Sequence, residues 1–214
     1  PAAAEVAVLK EWGVVCAALG TGAATALLRK GGLGERGFRL DSGTFLLLPT
    51  GYHQRREPAA ADVEGGPASS LQERFRSGAS AAPAFAAGAE TAWASCAARV
   101  TGAWATRDSR VVEAASGAHC LSRQALASRL AWRPADPITL LELRVYVLPT
   151  PVRLPPDREA LGGCKSWGRL PSEATMGGVD AAAAAPALGD EEFAERQRAL
   201  RQALREGLPE GSVV

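Results

Sequence analysis

The sequence is short of the residues that most often announce a chemistry. It has two histidines, His53 and His119, and a single methionine. Four cysteines stand at positions 16, 96, 120 and 164, with no C-x-x-C pair among them. That spacing excludes a zinc ladder and argues against a secreted disulfide framework, so free thiols in a reducing compartment are expected. No apolar run approaches the roughly 18–20 residues that cross a bilayer, so a soluble chain is expected. An excess of either charge is also missing: 24 basic residues face 23 acidic ones, for a net charge of +1. Global attraction to nucleic acid or to an anionic membrane is thereby excluded, and only a local basic patch can supply it. The first residue is proline rather than methionine, which reads as a processed or trimmed end.

What is present fits one domain with additions: 214 residues, 47% of them hydrophobic. Alanine inflates that fraction and buries little area, so Leu, Val, Trp and Phe must drive the core. Leu9, Trp12, Cys16 and Leu19 recur at spacings of three and four, which predicts a helix over Val8–Leu19, stopped by Gly20-Thr21-Gly22. Short apolar segments at Ala23–Leu28, Phe38–Leu40 and Thr44–Leu48 predict strands. The last of these is apolar on both faces, hence central, and ends at Pro49. Ala97–Thr106 alternates with period two, and Val111-Val112 opens a short helix or a strand. Ser122 is placed to N-cap a helix over Arg123–Leu130. Ile138–Leu148 is the clearest strand, and Glu142 and Arg144 share one of its faces. Asp190–Glu206 closes the chain as an amphipathic helix, with acids at its start and arginines near its end.

Together these predict an α+β fold. A mixed, mainly antiparallel sheet is packed by an N-terminal helix and a short mid-chain helix, and a C-terminal amphipathic helix follows. The expected domain spans 5–175, with a flexible Ala/Gly/Pro-rich insertion at about 57–90 in which Leu71–Arg76 forms a helical turn. A low-complexity linker covers 176–189, and the helix covers 190–206.

The candidate cleft gathers around the glycine-rich loop after Arg29-Lys30. Two strands joined by that loop bring Arg29, Lys30, Glu35 and His53 within reach of one another. Lys10 and Glu11 border it, Gln54 follows His53 at a strand end, and His119, Arg144 and Ser166 are further candidates. The loop lacks the spacing of a phosphate-binding fingerprint. Several have a plainer reading too: Lys10 and Glu11 as a solvated pair, Glu142 and Arg144 pairing on their shared face, and His53 as a structural hydrogen-bonder; His119 beside Cys120 suggests a Cys-His dyad, which sequence neighbours rarely form.

Beyond these local readings, Leu9-Lys10-Glu11-Trp12, Leu28-Arg29-Lys30-Gly31-Gly32 with Glu35, and Phe45-Leu46-Leu47-Leu48-Pro49-Thr50 with His53-Gln54 resemble a family known mainly from cyanobacteria and other bacteria. It is the domain-of-unknown-function family numbered eighteen-hundred-and-two. His119, Leu143-Arg144-Val145-Tyr146 and Gly163-Cys164-Lys165-Ser166-Trp167 agree with it in order, from about Val8 to about Leu170. Cys120-Leu121 departs from the Ile-Trp expected after His119, and the insertion is expanded. The resemblance implies a soluble bacterial-type module and brings no activity with it. By analogy it suggests the cytoplasm or a plastid stroma.

Three functions follow from the residues. The first is nucleic-acid binding or processing at the basic cleft, with a divalent metal between Glu11 and Glu35 if the chain is a nuclease. The second is a non-catalytic subunit or assembly factor, meeting protein partners through the insertion and the C-terminal helix. The third, a hydrolase using Cys120 or Cys164, needs a thiol of depressed pKa.

Overall fold

A computed structural model describes residues 5–32, 35–50, 92–154, 161, 165–171 and 184–208. His53, Gln54, Cys164, the insertion at 57–90 and most of the linker lie outside the described residues.

Seven strands form one sheet: β1 (Glu5–Trp12), β2 (Ala26–Arg29), β3 (Thr44–Thr50), β4 (Ala92–Thr106), β5 (Ile138–Leu154), β6 (Trp167–Pro171) and the two-residue β7 (Ala185–Pro186). Their order is β2-β5-β4-β3-β1-β6, with β7 on β5. Among the described strands only β1 and β3 run parallel. Among the described residues four helices of four or more residues accompany the sheet: α1 (Gly13–Gly20), α2 (Val111–Ala114), α3 (Arg123–Ala131) and α4 (Asp190–Gly207). The fold is the expected α+β mixed sheet, with β3 inside it.

The strands are covered on both faces. Leu9, Leu27, Leu47, Leu141 and Leu143 pack with Val14, Val15, Ala18 and Leu19 of α1, which fills the concave side. On the other face, Leu28, Ile138 and Leu140 pack with Val111, Leu126 and the α4 residues Leu200 and Leu204. Val8, Leu46, Leu48 and Leu154 form a third cluster with Leu161 and Leu170. The sheet is strongly curled. β1 and β2 are separated by three strands in the order, yet Leu9 and Leu27 share a cluster and the side chains of Glu11 and Arg29 touch.

Several expected boundaries move. Val8–Leu19 is not one helix: β1 runs to Trp12 and α1 begins at Gly13. The apolar spacing bridged a strand–helix junction. Burial on both faces hid the period of two in β1, and α1 starts with no side-chain cap to mark it. Phe38–Leu40 is not a strand; Phe38 packs instead near Trp167, ring centroids 6.0 Å apart. β3 passes through Pro49 to Thr50, beyond its last register pair with β4, Leu47 with Cys96, where a missing N–H disturbs no ladder on that side. β5 continues through Pro149 and Pro151. The register shifts between Ala94 and Cys96 opposite, so both prolines sit where pairing is interrupted.

Candidate functional site

Glu11, next to last in β1, and Arg29, last in β2, lie on the concave side, in phase with Leu9 and Leu27. Arg29 Nη1 donates to Glu11 Oε2 at 2.6 Å, which closes the gap between the two strands. Trp12 N–H donates to Oε1 at 2.8 Å, and Arg129 of α3 approaches the same oxygen at 3.5 Å. Arg129 also donates to the Leu28 carbonyl, covering the outer edge of β2. Its guanidinium lies 4.4 Å from the Trp12 ring, and that of Arg29 lies 5.5 Å from Phe38. Burial pushes the Glu11 carboxyl up, but Arg29, Arg129 and the Trp12 N–H outweigh it and hold it below its ordinary value of 4.5. One buried carboxylate thus serves two guanidiniums. Arg29 Nε, fully buried, has no hydrogen-bond partner.

Beside this closure the glycine loop folds back on itself. Gly31 has φ 88°, and a Cβ there would stand 2.6 Å from the Gly37 carbonyl oxygen, so only glycine fits. Glu35 accepts from Ser166 N at 2.8 Å, from Ser166 Oγ at 2.6 Å and from Gly32 N, tying the loop to the start of β6. Its burial would raise its pKa, but these donors lower it below 4.5. Lys30 Nζ donates to the carbonyls of Leu130, Trp132 and Arg133 at 3.3, 3.0 and 3.0 Å, capping the end of α3. Arg133 donates to the Glu35 carbonyl and lies 4.6 Å from the Trp132 ring. Arg36, Arg39 and Lys165 are exposed beside this junction. Asp41 is paired with Arg169.

Glu11, Arg29, Lys30, Glu35 and Ser166 therefore meet in one region. Alternation sends the Lys10 side chain to the opposite face, where Nζ donates to the Leu161 carbonyl at 3.2 Å; only its backbone N–H joins Ser166. Lys10 and Glu11 are not a solvated pair, since Glu11 is buried. Arg144 is not an anion ligand of this cleft. It lies on the convex face with Leu140, bonds Asp190 at 2.5 Å and stacks 4.7 Å from Phe193. Nor does it pair with Glu142, which instead accepts from Thr101, Gln197 and Arg201. His119 is a structural hydrogen-bonder: Nδ1 accepts from Leu121 N–H at 3.2 Å, which assigns the ring proton to Nε2 beside the Val112 carbonyl. Burial lowers its pKa.

Two expected chemistries lose their footing. The oxygens of Glu11 and Glu35 are all engaged by protein donors, which leaves no shared site for a metal. Among the described residues no group of three or more His, Cys, Asp or Glu gathers as a metal centre. Burial pushes the Cys120 thiol up to about 12, the opposite of an activated nucleophile. Sequence reasoning missed Arg129 and Arg133. The signal was present as Arg129-Leu130-Ala131-Trp132-Arg133, two arginines four apart with a tryptophan between them.

The family model named domain of unknown function (DUF1802) matches residues 8–199. The chain belongs to this family. No curated protein is significantly similar to this DUF1802 chain in sequence. Among solved structures it is similar to a serine-to-alanine mutant of the ASCH protein of Zymomonas mobilis, with 14% identity over 79% of this chain and 90% of that one and a TM-score of 0.43. The unmutated ASCH structure from the same organism gives the same identity and coverage with a TM-score of 0.41. Among the described residues, no helix is long and apolar enough to cross a membrane.

Proposed function

We propose that the DUF1802 chain binds nucleic acid at the β1–β2 closure. The observation that carries this reading is a local gathering of cations, several of them mounted on aromatic faces. Arg29, Lys30, Arg129 and Arg133, with exposed Arg36, Arg39 and Lys165, gather around Glu11 and Glu35. Three of the arginines lie over Phe38, Trp12 and Trp132. In a chain of net charge +1 such a concentration is local, and it suits phosphates together with stacked bases. The carboxylates are committed to arginines and backbone donors, so the proposal is binding without metal-assisted cleavage. A docking role for α4 has less support, because Leu200 and Leu204 are buried against the body.

The test is binding to labelled single- and double-stranded DNA and RNA over a salt series, with and without magnesium or manganese. Affinity is expected to fall linearly with salt on logarithmic axes, with no cleavage in either metal. Absent or salt-insensitive binding overturns the proposal.

A further inference from the structure

We infer that the outer edge of β6 takes an added strand, an extended acidic segment of a partner protein. This binding stands apart from that of nucleic acid, although some of the same cations serve both. The two ends of the sheet are finished differently. At the β2 end the Ala26 N–H donates to the Ala118 carbonyl, and Arg129 donates to the Leu28 carbonyl, so that edge is covered. At the other end β6 pairs with β1 and, among the described residues, with no other strand. The Lys10 N–H donates to the Ser166 carbonyl at 2.9 Å, which sets the alternation along the pair. Gly168 and Leu170 therefore bond to β1, whereas Trp167, Arg169 and Pro171 turn their backbone groups outward. Among the described residues nothing bonds to the outward N–H and C=O groups of Trp167 and Arg169. Each offers a donor and an acceptor side by side, which an added strand meets with its own acceptor and donor. A phosphate supplies acceptors alone.

Charge selects the occupant. Trp167 Nε1 donates to the Arg39 carbonyl and Arg169 bonds Asp41, which lays residues 39–41 alongside β6. Arg36, Arg39, Lys165 and Arg169 are all exposed there. Among the described residues nothing hydrogen-bonds or ion-pairs with the side chains of Arg36, Arg39 and Lys165. The nearby acids are Asp41, held by Arg169; Glu35, held by Ser166; and Glu5, opposite Pro171 at the far end of the strand. A partner strand carrying carboxylates on one face suits this setting, and Leu40, 43% exposed between Arg39 and Asp41, offers it an apolar contact. A second copy of this chain suits it poorly, because a twofold contact between β6 edges sets the same cations against each other. Arg169 and Pro171 are also the residue types that keep an edge from pairing with its own kind.

The experiment titrates the full chain into a fluorescein-labelled peptide of alternating Glu and Val, followed by anisotropy. A peptide of alternating Lys and Val is expected not to bind. The acidic peptide methylated on alternate backbone nitrogens keeps its charge but cannot complete the ladder, and is expected to bind about tenfold more weakly. Amide hydrogen exchange at Trp167 and Arg169 is expected to slow when the acidic peptide binds, and exchange at Gly168 and Leu170, already bonded to β1, to change little. Arg169→Pro removes an outward N–H, as Pro171 does two residues on, and leaves the β1 ladder intact. It is expected to bind the acidic peptide about tenfold more weakly than Arg169→Ala, which removes the charge alone. Equal binding of the methylated and unmethylated peptides, equal binding of the acidic and basic ones, unchanged exchange at Trp167 and Arg169, or no binding at all each overturns the inference. Nucleic-acid binding, scored separately by its salt series, then still stands. If Arg169→Pro does not fold, as judged by circular dichroism, the methylated peptide and the exchange rates decide.

Discussion

Two places among the described residues bury a carboxylate beside an arginine, and they are built to different ends. At the seam between β5 and α4, Glu142 accepts from Thr101 Oγ1 and Gln197 Nε2, both at 2.6 Å, and from Arg201 at 2.9 Å. Arg144 bonds Asp190 in the same seam. There each charge has one opposite charge, and the neutral donors complete the set. At the β1–β2 closure Glu11 has two arginines, and one buried N–H is left over. The seam reads as a fastening for α4. The closure fastens two strands and a helix through one carboxylate shared by two arginines.

Equal substitutions at the two carboxylates test that contrast most strongly. Glu11→Gln leaves two recessed guanidiniums with a neutral partner and is expected to lower unfolding stability by about 3–5 kcal/mol in urea denaturation. Glu142→Gln is expected to lower it by about 1–3 kcal/mol, because Gln still accepts from Thr101 or Gln197, and Arg201, 39% exposed, remains solvated. Equal losses would remove the distinction. Acid sharpens the same comparison. Folding holds Glu11 and Glu35 below the ordinary 4.5 that they regain when unfolded. The stability they contribute is therefore complete above about pH 4.5 and is lost as pH falls through the lower folded values. The gap between wild type and Glu11→Gln is expected to narrow over that acid range, as followed by thermal melts.

How much of this was legible in the sequence divides along the same line. The seam is half visible: the spacing places Glu142 and Arg144 on one face, and it predicts an amphipathic helix over Asp190–Glu206. That the helix supplies their partners is a tertiary fact with no local signal. The closure was visible as a cluster of residue types, Glu11, Arg29, Lys30 and Glu35, because the strand ends and the glycine loop mark it. The second arginine on Glu11 was not, since Arg129 comes from a helix far along the chain. The curl that brings β1 to β2 is likewise a tertiary fact, and a strand covered on both faces shows no alternation to read.

Ser122→Ala probes the closure from further off. Ser122 Oγ accepts from Ala125 N–H at 3.1 Å and starts α3, the helix that carries Arg129. Loss of the cap is expected to remove about 1 kcal/mol. Nucleic-acid affinity is expected to fall with it, because the first turn of α3 frays and Arg129 is held less firmly. Stability lost with unchanged affinity would place the hold on Arg129 in its own bonds to Leu28 and Glu11.

The smallest effect is expected where charge is abundant but wet. Glu192 and Arg196 pair at 2.8 Å on the outer side of α4, with side chains 52% and 36% exposed. Glu192→Gln is expected to lower stability by no more than about 0.5 kcal/mol, because Arg196 keeps its bond to the Gly22 carbonyl at 2.7 Å. The buried contacts of Leu200, Leu204 and Leu208 are untouched. A loss several times larger in the same urea titration would mean that α4 is held by its ionic network rather than by its leucines. The seam would then resemble the closure in energetics, and the contrast drawn from Glu142 and Glu11 would fail at its weaker end.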